Sequence, residues 1–115
     1  MAPTDRDVLV ALYNSTDGPN WRKKSNWGSG APLSDWYGVT ANDQGRVVKL
    51  SLGSNKLRGR IPEELGKLTA LQVLLLTGNQ LSGHIPPQLG QLGVLQYLSL
   101  ANNELDGELE QIEIV

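Results

Sequence analysis

The most constraining feature of this chain is a pattern that recurs every 24 residues. Residues 50–62 form the first copy, and the same columns return in residues 74–86 and 98–109. The repeated columns are Leu50/Leu74/Leu98, Leu52/Leu76/Leu100, Asn55/Asn79/Asn103, Leu57/Leu81/Leu105, Gly59/Gly83/Gly107 and Ile61/Ile85/Leu109. A unit of this length buries its apolar side only against its neighbours, so successive copies must stack. The pattern predicts an α/β solenoid of about three 24-residue repeats.

Residues 71–92 match the pattern LxxLxLxxNxLSGxIPxxLGxL almost letter for letter. This pattern is typical of the plant-specific class of leucine-rich repeats (LRRs). The chain resembles the repeats of receptor-kinase ectodomains, of polygalacturonase-inhibiting proteins and of some signalling GTPases. The resemblance implies parallel strands on a concave face and a role in recognition. The scaffold presents a surface whose chemistry differs between members, so the resemblance does not name a partner.

The residues before the first repeat are predicted to close the open end of the stack. We expect residues 1–46 to form an N-terminal cap, built from a helix and the first strand of a hairpin. Thr4 is the predicted N-cap of a helix that runs to Tyr13. Asp5 and Asp7 lie in its first turn, where the helix dipole favours negative charge. Three tryptophans are predicted to seal the first repeat: Trp21, Trp27 and Trp36.

The repeats occupy residues 47–109, and residues 110–115 are predicted to form a C-terminal tail or partial cap. Each repeat is expected to contribute a parallel strand to the concave face, then a short second strand and a tight turn. The predicted concave-side strands are residues 36–40, 47–52, 71–76 and 95–100, with second strands at residues 57–59 and 81–83. One asparagine per repeat is predicted to bond backbone groups where the chain leaves the strand: Asn55, Asn79 and Asn103.

Charge is distributed unevenly along the chain. All ten Lys and Arg lie within residues 6–67, and residues 1–67 hold seven acids, whereas residues 68–115 hold five acids and no base. The net charges of residues 1–67 and 68–115 are therefore +3 and −5, which sum to −2. Neither part is basic enough to predict a nucleic-acid site, which needs a basic domain with interleaved aromatics. No apolar run is long enough to predict a membrane span.

The sequence offers little for catalysis or cofactors. It has no cysteine and one histidine, His84, so neither a zinc nor a redox site is expected. No nucleophile or carboxylate partner can be placed beside His84, which is predicted to be a solvated loop residue. The five acids after residue 103 alternate along an extended tail, without the fixed spacing of a calcium loop. We expect a non-enzymatic chain without cofactor or metal.

The compartment is predicted from cysteine usage and from the first residues. Secreted members of the resembled class usually carry a cysteine pair in the N-terminal cap, and the corresponding residues 35–40 contain none. The first residues show no basic and apolar run typical of a signal peptide. These observations favour a reducing, cytoplasmic setting. The alternative is an extracellular fragment of a receptor.

The concave face is the predicted binding surface, because the variable positions of each repeat strand point to solvent there. Val73, Leu75 and Tyr97 are expected to form an apolar cluster on neighbouring strands. A small apolar cluster with a tyrosine has the composition of a protein-binding patch. The other predicted binding residues surround it: Lys49, Gln72, Thr77, Gln96 and Ser99. The alternative is scattered surface apolars without function.

Three functions are consistent with these features. The first is recognition of a protein or peptide on the concave face. The second is the sensing segment of a larger signalling kinase or GTPase. The third is self-association as a structural repeat protein, through a homodimer contact of C-terminal ends. This contact would cover three leucines of the last repeat and one residue of the tail: Leu98, Leu100, Leu105 and Ile112.

Overall fold

A computed structural model describes residues 4–106 of the chain. Within this range there are one α-helix, α1 (Asp5–Ser15), seven short strands and four 3₁₀ turns. The strands are β1 (Val39–Ala41), β2 (Val47–Ser51), β3 (Arg58–Arg60), β4 (Val73–Leu75), β5 (Gln80–His84), β6 (Tyr97–Ser99) and β7 (Glu104–Asp106). The 3₁₀ turns are Gly18–Asn20, Leu33–Asp35, Glu63–Lys67 and Pro87–Gln91.

The strands form two sheets. The first has the order β1-β2-β4-β6, in which β1 is antiparallel to β2 and the remaining pairs are parallel. The second has the order β3-β5-β7, with parallel pairs only. Residues 24 positions apart pair in the first sheet, as Leu50 does with Leu74 and Leu74 with Leu98. In the second sheet, Gly59 pairs with Leu81, so the offset is 22 residues.

The observed elements differ from the predicted ones mainly at their ends. β1 begins three residues later than the predicted strand at residues 36–40, because Trp36 closes a 3₁₀ turn by donating its N–H to the Leu33 carbonyl at 3.0 Å. β4 and β6 each cover the middle of a longer predicted strand. α1 continues to Ser15 rather than ending at Tyr13, and the second sheet gains β7, which was not predicted.

Leucines of the repeat columns form the core. Those of the first two repeats are completely buried: Leu50, Leu52, Leu57, Leu74, Leu76 and Leu81. Burying such a side chain stabilises a fold by about 1.5–3 kcal/mol relative to leaving it exposed. In the third repeat, Leu100 is buried, whereas Leu98 and Leu105 are partly buried against the same core.

The first turn of α1 is fixed by a reciprocal capping box. The Asp7 N–H donates to the Thr4 hydroxyl at 3.1 Å, and the Thr4 N–H donates to the Asp7 carboxylate at 2.9 Å. Hydrogen bonds from the Thr4 backbone and, secondarily, from its side chain hold the pKa of Asp7 below its usual value. Val8, Leu9 and Leu12 form the buried stripe of the helix.

Asp5 was expected only to place a negative charge at the positive end of the helix dipole, and the structure gives it a further role. Its carboxylate is buried and accepts hydrogen bonds from the Arg46 guanidinium and from the Val47 N–H, the latter at 2.9 Å. The pKa of Arg46 is raised by the hydrogen bond to Asp5 and by the negative charge of the Asp5 carboxylate. This contact ties the first turn of α1 to the start of β2.

The C-terminal end of α1 covers the edge of the second sheet. The Arg58 N–H donates to the Thr16 carbonyl at 3.1 Å, and the Ser15 hydroxyl donates to the Arg60 carbonyl at 2.6 Å. Gly59 lies between these contacts with a φ of +126°, and a Cβ at this position would overlap the Ser15 carbonyl oxygen. Glycine is therefore required here for both the backbone conformation and the close approach of the helix.

The three tryptophans lie together in the buried core, and two of them, Trp21 and Trp27, contact Tyr13. Trp21 and Trp27 meet edge to face with 4.7 Å between ring centroids, and Trp27 and Trp36 lie 5.1 Å apart. Each indole N–H donates to a backbone carbonyl, so the buried rings leave no unpaired donor. The Arg6 guanidinium lies 5.2 Å from the centre of the Trp36 ring. Aromatic packing thus joins the N-terminal segment to the leucine core.

The repeat asparagines join consecutive units through their side-chain amides. The Asn79 carbonyl oxygen accepts the N–H groups of Asn55 and Leu57 at 2.9 and 3.0 Å. Its amide nitrogen donates to the carbonyls of Leu52 and Leu76. One repeat later, the Asn103 carbonyl oxygen accepts one N–H, from Leu81, and its amide nitrogen donates to the carbonyls of Leu76 and Leu100. Asn55 bonds the N-terminal segment.

Candidate binding surface

The first sheet brings the predicted binding residues into two rows. Lys49, Val73 and Tyr97 are direct neighbours across β2, β4 and β6. Ser51, Leu75 and Ser99 form the parallel row two residues further along each strand. Because alternate residues of a strand share a face, the two rows lie on the same side of the sheet. Leu50, Leu74 and Leu98, between the rows, face the core side.

We call Val73, Leu75 and Tyr97 the apolar patch. Tyr97 is 60% exposed, while Val73 and Leu75 are half-buried. The Thr77 and Ser99 hydroxyls are hydrogen-bonded to each other beside the patch. The exposed polar residues around it are Lys49, Gln72 and Gln96. The surface therefore combines an accessible aromatic ring, aliphatic groups and polar neighbours, which is the composition that protein contacts favour.

The N-terminal segment adds a tyrosine and a cation that the sequence analysis did not place here. Lys23 holds its ammonium 5.8 Å from the centre of the Tyr37 ring. Tyr37 precedes Gly38, whose carbonyl accepts the Ser51 N–H at 2.8 Å. The backbone next to Tyr37 therefore adjoins the end of the row that contains Ser51. No repeat column covers these positions, so the periodic pattern carried no signal for them.

The predicted self-association residues are placed only in part. Leu100 is buried, and Leu98 and Leu105 are partly buried against the core rather than forming a separate apolar surface. Ile112 lies outside the described residues. Among the described strands, β6 and β7 are the last of their sheets.

The prediction that His84 lacks a carboxylate partner was wrong. Its Nδ1 lies 2.6 Å from an Asp106 carboxylate oxygen, since the two residues pair directly between β5 and β7. Both side chains are largely exposed, 82% for His84 and 65% for Asp106, and no serine, threonine or lysine contact completes a nucleophile–base pair in residues 4–106. Nor do those residues contain a group of His, Asp or Glu side chains suited to hold a metal.

A cleft lies between the first turn of α1 and the 3₁₀ turns. This cleft, of about 1010 Å³, is lined by residues that include Asp5, Leu33, Arg46 and Lys67. Two of its charged side chains, Asp5 and Arg46, are already paired with each other. Arg6 likewise donates to the carbonyls of Ser29 and Ala31. The cleft wall is therefore held together by internal contacts, and the strand face remains the better candidate for recognition.

Comparison with known proteins agrees with this geometry. The family model for the leucine-rich repeat matches residues 46–68 and 70–92. A probable leucine-rich repeat receptor-like protein kinase of Arabidopsis thaliana is 38% identical over 76 residues, which cover 65% of this chain and 8% of the kinase. The chain thus spans less than a tenth of this curated relative. Residues 46–92 therefore carry leucine-rich repeats, similar to those of plant receptor-like kinases, and the chain has no cysteine.

Solved receptor structures share the fold. The BIR2 ectodomain from Arabidopsis thaliana superposes with a TM-score of 0.81 at 34% identity, covering 95% of this chain and 60% of that one. A chain of the BIR3–SERK2 complex from the same plant gives a TM-score of 0.74 at 36% identity, covering 85% and 55%. The fold is therefore that of LRR ectodomains, which serve recognition.

These similarities overturn the cytoplasmic expectation. The relatives are receptor-like kinases and receptor ectodomains, which points to the extracellular side. The lack of cysteines did not indicate a reducing compartment, because the N-terminal segment is joined to the repeats without a disulfide. The three tryptophans and the Asp5–Arg46 pair make this connection. Within residues 4–106, no helix has the length and hydropathy needed to cross a bilayer.

Proposed function

We propose that the chain is a non-enzymatic recognition module that binds a protein or peptide on the strand face around the apolar patch. The observation that carries the proposal is the strand register, which sets Val73 beside Tyr97 and leaves Leu75 in the next row of the same face. Tyrosine with aliphatic neighbours is the type of anchor that dominates binding energy at protein interfaces.

The fold relatives support a partner of this class. One of them was solved as a complex of two proteins, BIR3 and SERK2. The relatives' kinase parts are not covered by this chain, so catalysis is not part of the proposal. The sensing segment of a larger receptor kinase is the second candidate, favoured by the similarity to a receptor-like kinase over 76 residues.

The domain organisation belongs to the same proposal. We propose that residues 1–46 are the cap and that residues 47–109 are a short solenoid of about three repeats. The predicted tail or partial cap, residues 110–115, lies outside the described residues. In such an arrangement the parallel strands of successive units present one continuous surface. The tryptophan contacts and the asparagine bonds between units support this division.

Affinity selection of random short peptides on immobilised wild-type chain tests the binding face. Selected peptides should lose binding to Leu75→Asp and Tyr97→Ala by roughly tenfold or more, as expected when an interface anchor is removed. Val94→Asp is the matched control, because Val94 is 50% exposed and lies outside the strand rows. Tyr97→Ala should keep the fold, because Tyr97 is mostly exposed, so a loss of binding in this variant would not reflect misfolding. Equal binding by all three variants would move the site elsewhere.

A further inference from the structure

We infer that the partner carries carboxylate groups next to its apolar side chains, and that Lys49, Lys23 and Lys56 contact those carboxylates. This inference rests on the proposed function, because it specifies the chemistry of the partner for the same face. It extends the surface from the strand rows to the segment that precedes them.

Lys49 is the cation of the strand rows. It lies directly beside Val73 and is exposed. Within residues 4–106, the close contacts between basic and acidic side chains are Arg46–Asp5 and His84–Asp106, so the Lys49 ammonium is not neutralised by an acid of this part of the chain. The two strand rows and their polar neighbours contain no Asp or Glu. An interface favours the opposite charge at such a position, because burying an uncompensated cation is costly.

Lys23 adds a second cation whose position is restrained. Its ammonium lies over the Tyr37 ring at 5.8 Å, and Tyr37 is one residue before the strand-bonded Gly38. Its backbone is held by the Asn55 side chain, which accepts the Lys23 N–H at 2.7 Å and donates to the Lys23 carbonyl at 2.8 Å. A side chain that is already restrained loses less entropy when it binds.

Lys56 brings a third cation to the same region. It follows Asn55 directly, so the contacts between Asn55 and Lys23 bring the two lysines to neighbouring positions. Lys56 is exposed and has a left-handed backbone with a φ of +62°. The corresponding residues of the next two repeats are Gln80 and Glu104, which makes the positive charge specific to the first repeat.

The adjoining apolar patch favours an acidic polypeptide over a purely anionic polymer. Carboxylates alone would pair with the lysines but would leave Val73, Leu75 and the Tyr97 ring uncovered. A polypeptide supplies acidic and apolar side chains within a few residues of each other. An extended segment spans about 3.3–3.6 Å per residue, so one short segment can contact both the first repeat and the apolar patch.

The same peptide selection tests the inference when it is run on wild type and on the triple variant Lys23→Gln/Lys49→Gln/Lys56→Gln. The wild type should enrich peptides that combine Asp or Glu with aromatic or aliphatic residues, and the triple variant should enrich the apolar residues alone. Exposed ion pairs are weak, so each substitution should reduce the affinity of a selected acidic peptide by about 2- to 5-fold. The affinity should also fall with added salt.

The control is the triple variant Arg58→Gln/Arg60→Gln/Lys67→Gln. It removes the same charge from exposed positions in β3 and in the turn at Glu63–Lys67, away from the strand rows. This control should keep the acidic preference and the wild-type affinity. Both triple variants should keep the wild-type melting temperature to within about 3 °C, as expected for surface substitutions.

The outcomes separate the two proposals. Enrichment of apolar peptides without acids would overturn the inference and leave the proposed function standing, whereas no enrichment on wild type would remove both. An equal loss of affinity for the acidic peptides in the control variant would show a general charge effect and would also overturn the inference. A direct binding measurement with a polyuronate completes the test. Polyuronate binding that is lost in the first triple variant and retained in Leu75→Asp would show that the lysines serve an anionic polymer instead.

Discussion

Asp5 and Arg46 lie 41 residues apart in the chain and form a two-pronged ion pair, with the Arg46 Nε 2.9 Å and Nη2 3.3 Å from the two carboxylate oxygens of Asp5. The same carboxylate accepts the Val47 N–H. Arg46 also donates to the Thr69 hydroxyl at 3.0 Å. The buried Asp5 carboxylate thus connects the first turn of α1 to β2. Arg46 extends this connection to Thr69, which lies in a turn after the 3₁₀ turn Glu63–Lys67.

Asp5→Ala should therefore destabilise the fold more than the loss of a surface charge. The Val47 N–H would lose its acceptor in a buried position, at a cost of about 1–3 kcal/mol. Arg46→Gln should cost less, because its side chain is 43% exposed and Asp5 would keep the Val47 contact. Denaturant unfolding measures both, with the exposed Asp43→Ala as control. An Asp5→Ala variant as stable as Asp43→Ala would contradict this account.

Trp36 should be the most costly of the aromatic residues to remove. It is 2% exposed, packs against Trp27 and donates its indole N–H to the Ala31 carbonyl. Trp36→Ala should lower the free energy of unfolding by roughly 3–5 kcal/mol, as other large-to-small core substitutions do. Tyr97→Ala is the control for removing an exposed ring. If the two variants melted at the same temperature, Trp36 would not be part of the core.

The asparagines of successive repeats should differ in their contribution. Asn79 is 7% exposed and accepts two backbone N–H groups, whereas Asn103 is half-buried and accepts one, from Leu81. Asn79→Ala should cost about 2 kcal/mol or more, because it leaves several buried backbone groups unpaired. Asn103→Ala should cost clearly less, since water can replace part of its contacts. Chemical denaturation of the two variants compares them directly, and the reverse order would refute the assignment.

Self-association through the C-terminal end stays a prediction. Five acids follow residue 103, so repulsion between two such ends should weaken at higher salt and the dimer should tighten. Sedimentation at micromolar concentration measures this, with Ile112→Asp expected to shift the chain towards monomer. A monomer at every salt concentration, with no effect of Ile112→Asp on mass or solubility, would eliminate the homodimer.

The repeat period determined most of the fold and part of the candidate site. Leucine columns must face a common core, so the period alone predicts that Leu50, Leu74 and Leu98 stack, and the first sheet shows this 24-residue register. The neighbouring positions of the same strands follow directly, which is why Val73 was correctly expected beside Tyr97.

The contacts between non-repeated residues were decided by the tertiary structure. The second sheet pairs residues 22 positions apart, so His84 meets Asp106, a partner that a 24-residue register would not supply. Likewise, Asp5 reaches Arg46 and Lys23 reaches Tyr37 only after α1 and the tryptophan segment have packed against the first repeat. The physical reason is that periodic burial of leucines specifies which residues share a face of the sheet. Single polar contacts depend instead on how neighbouring elements pack against each other, and no repeated column of the sequence encodes that packing.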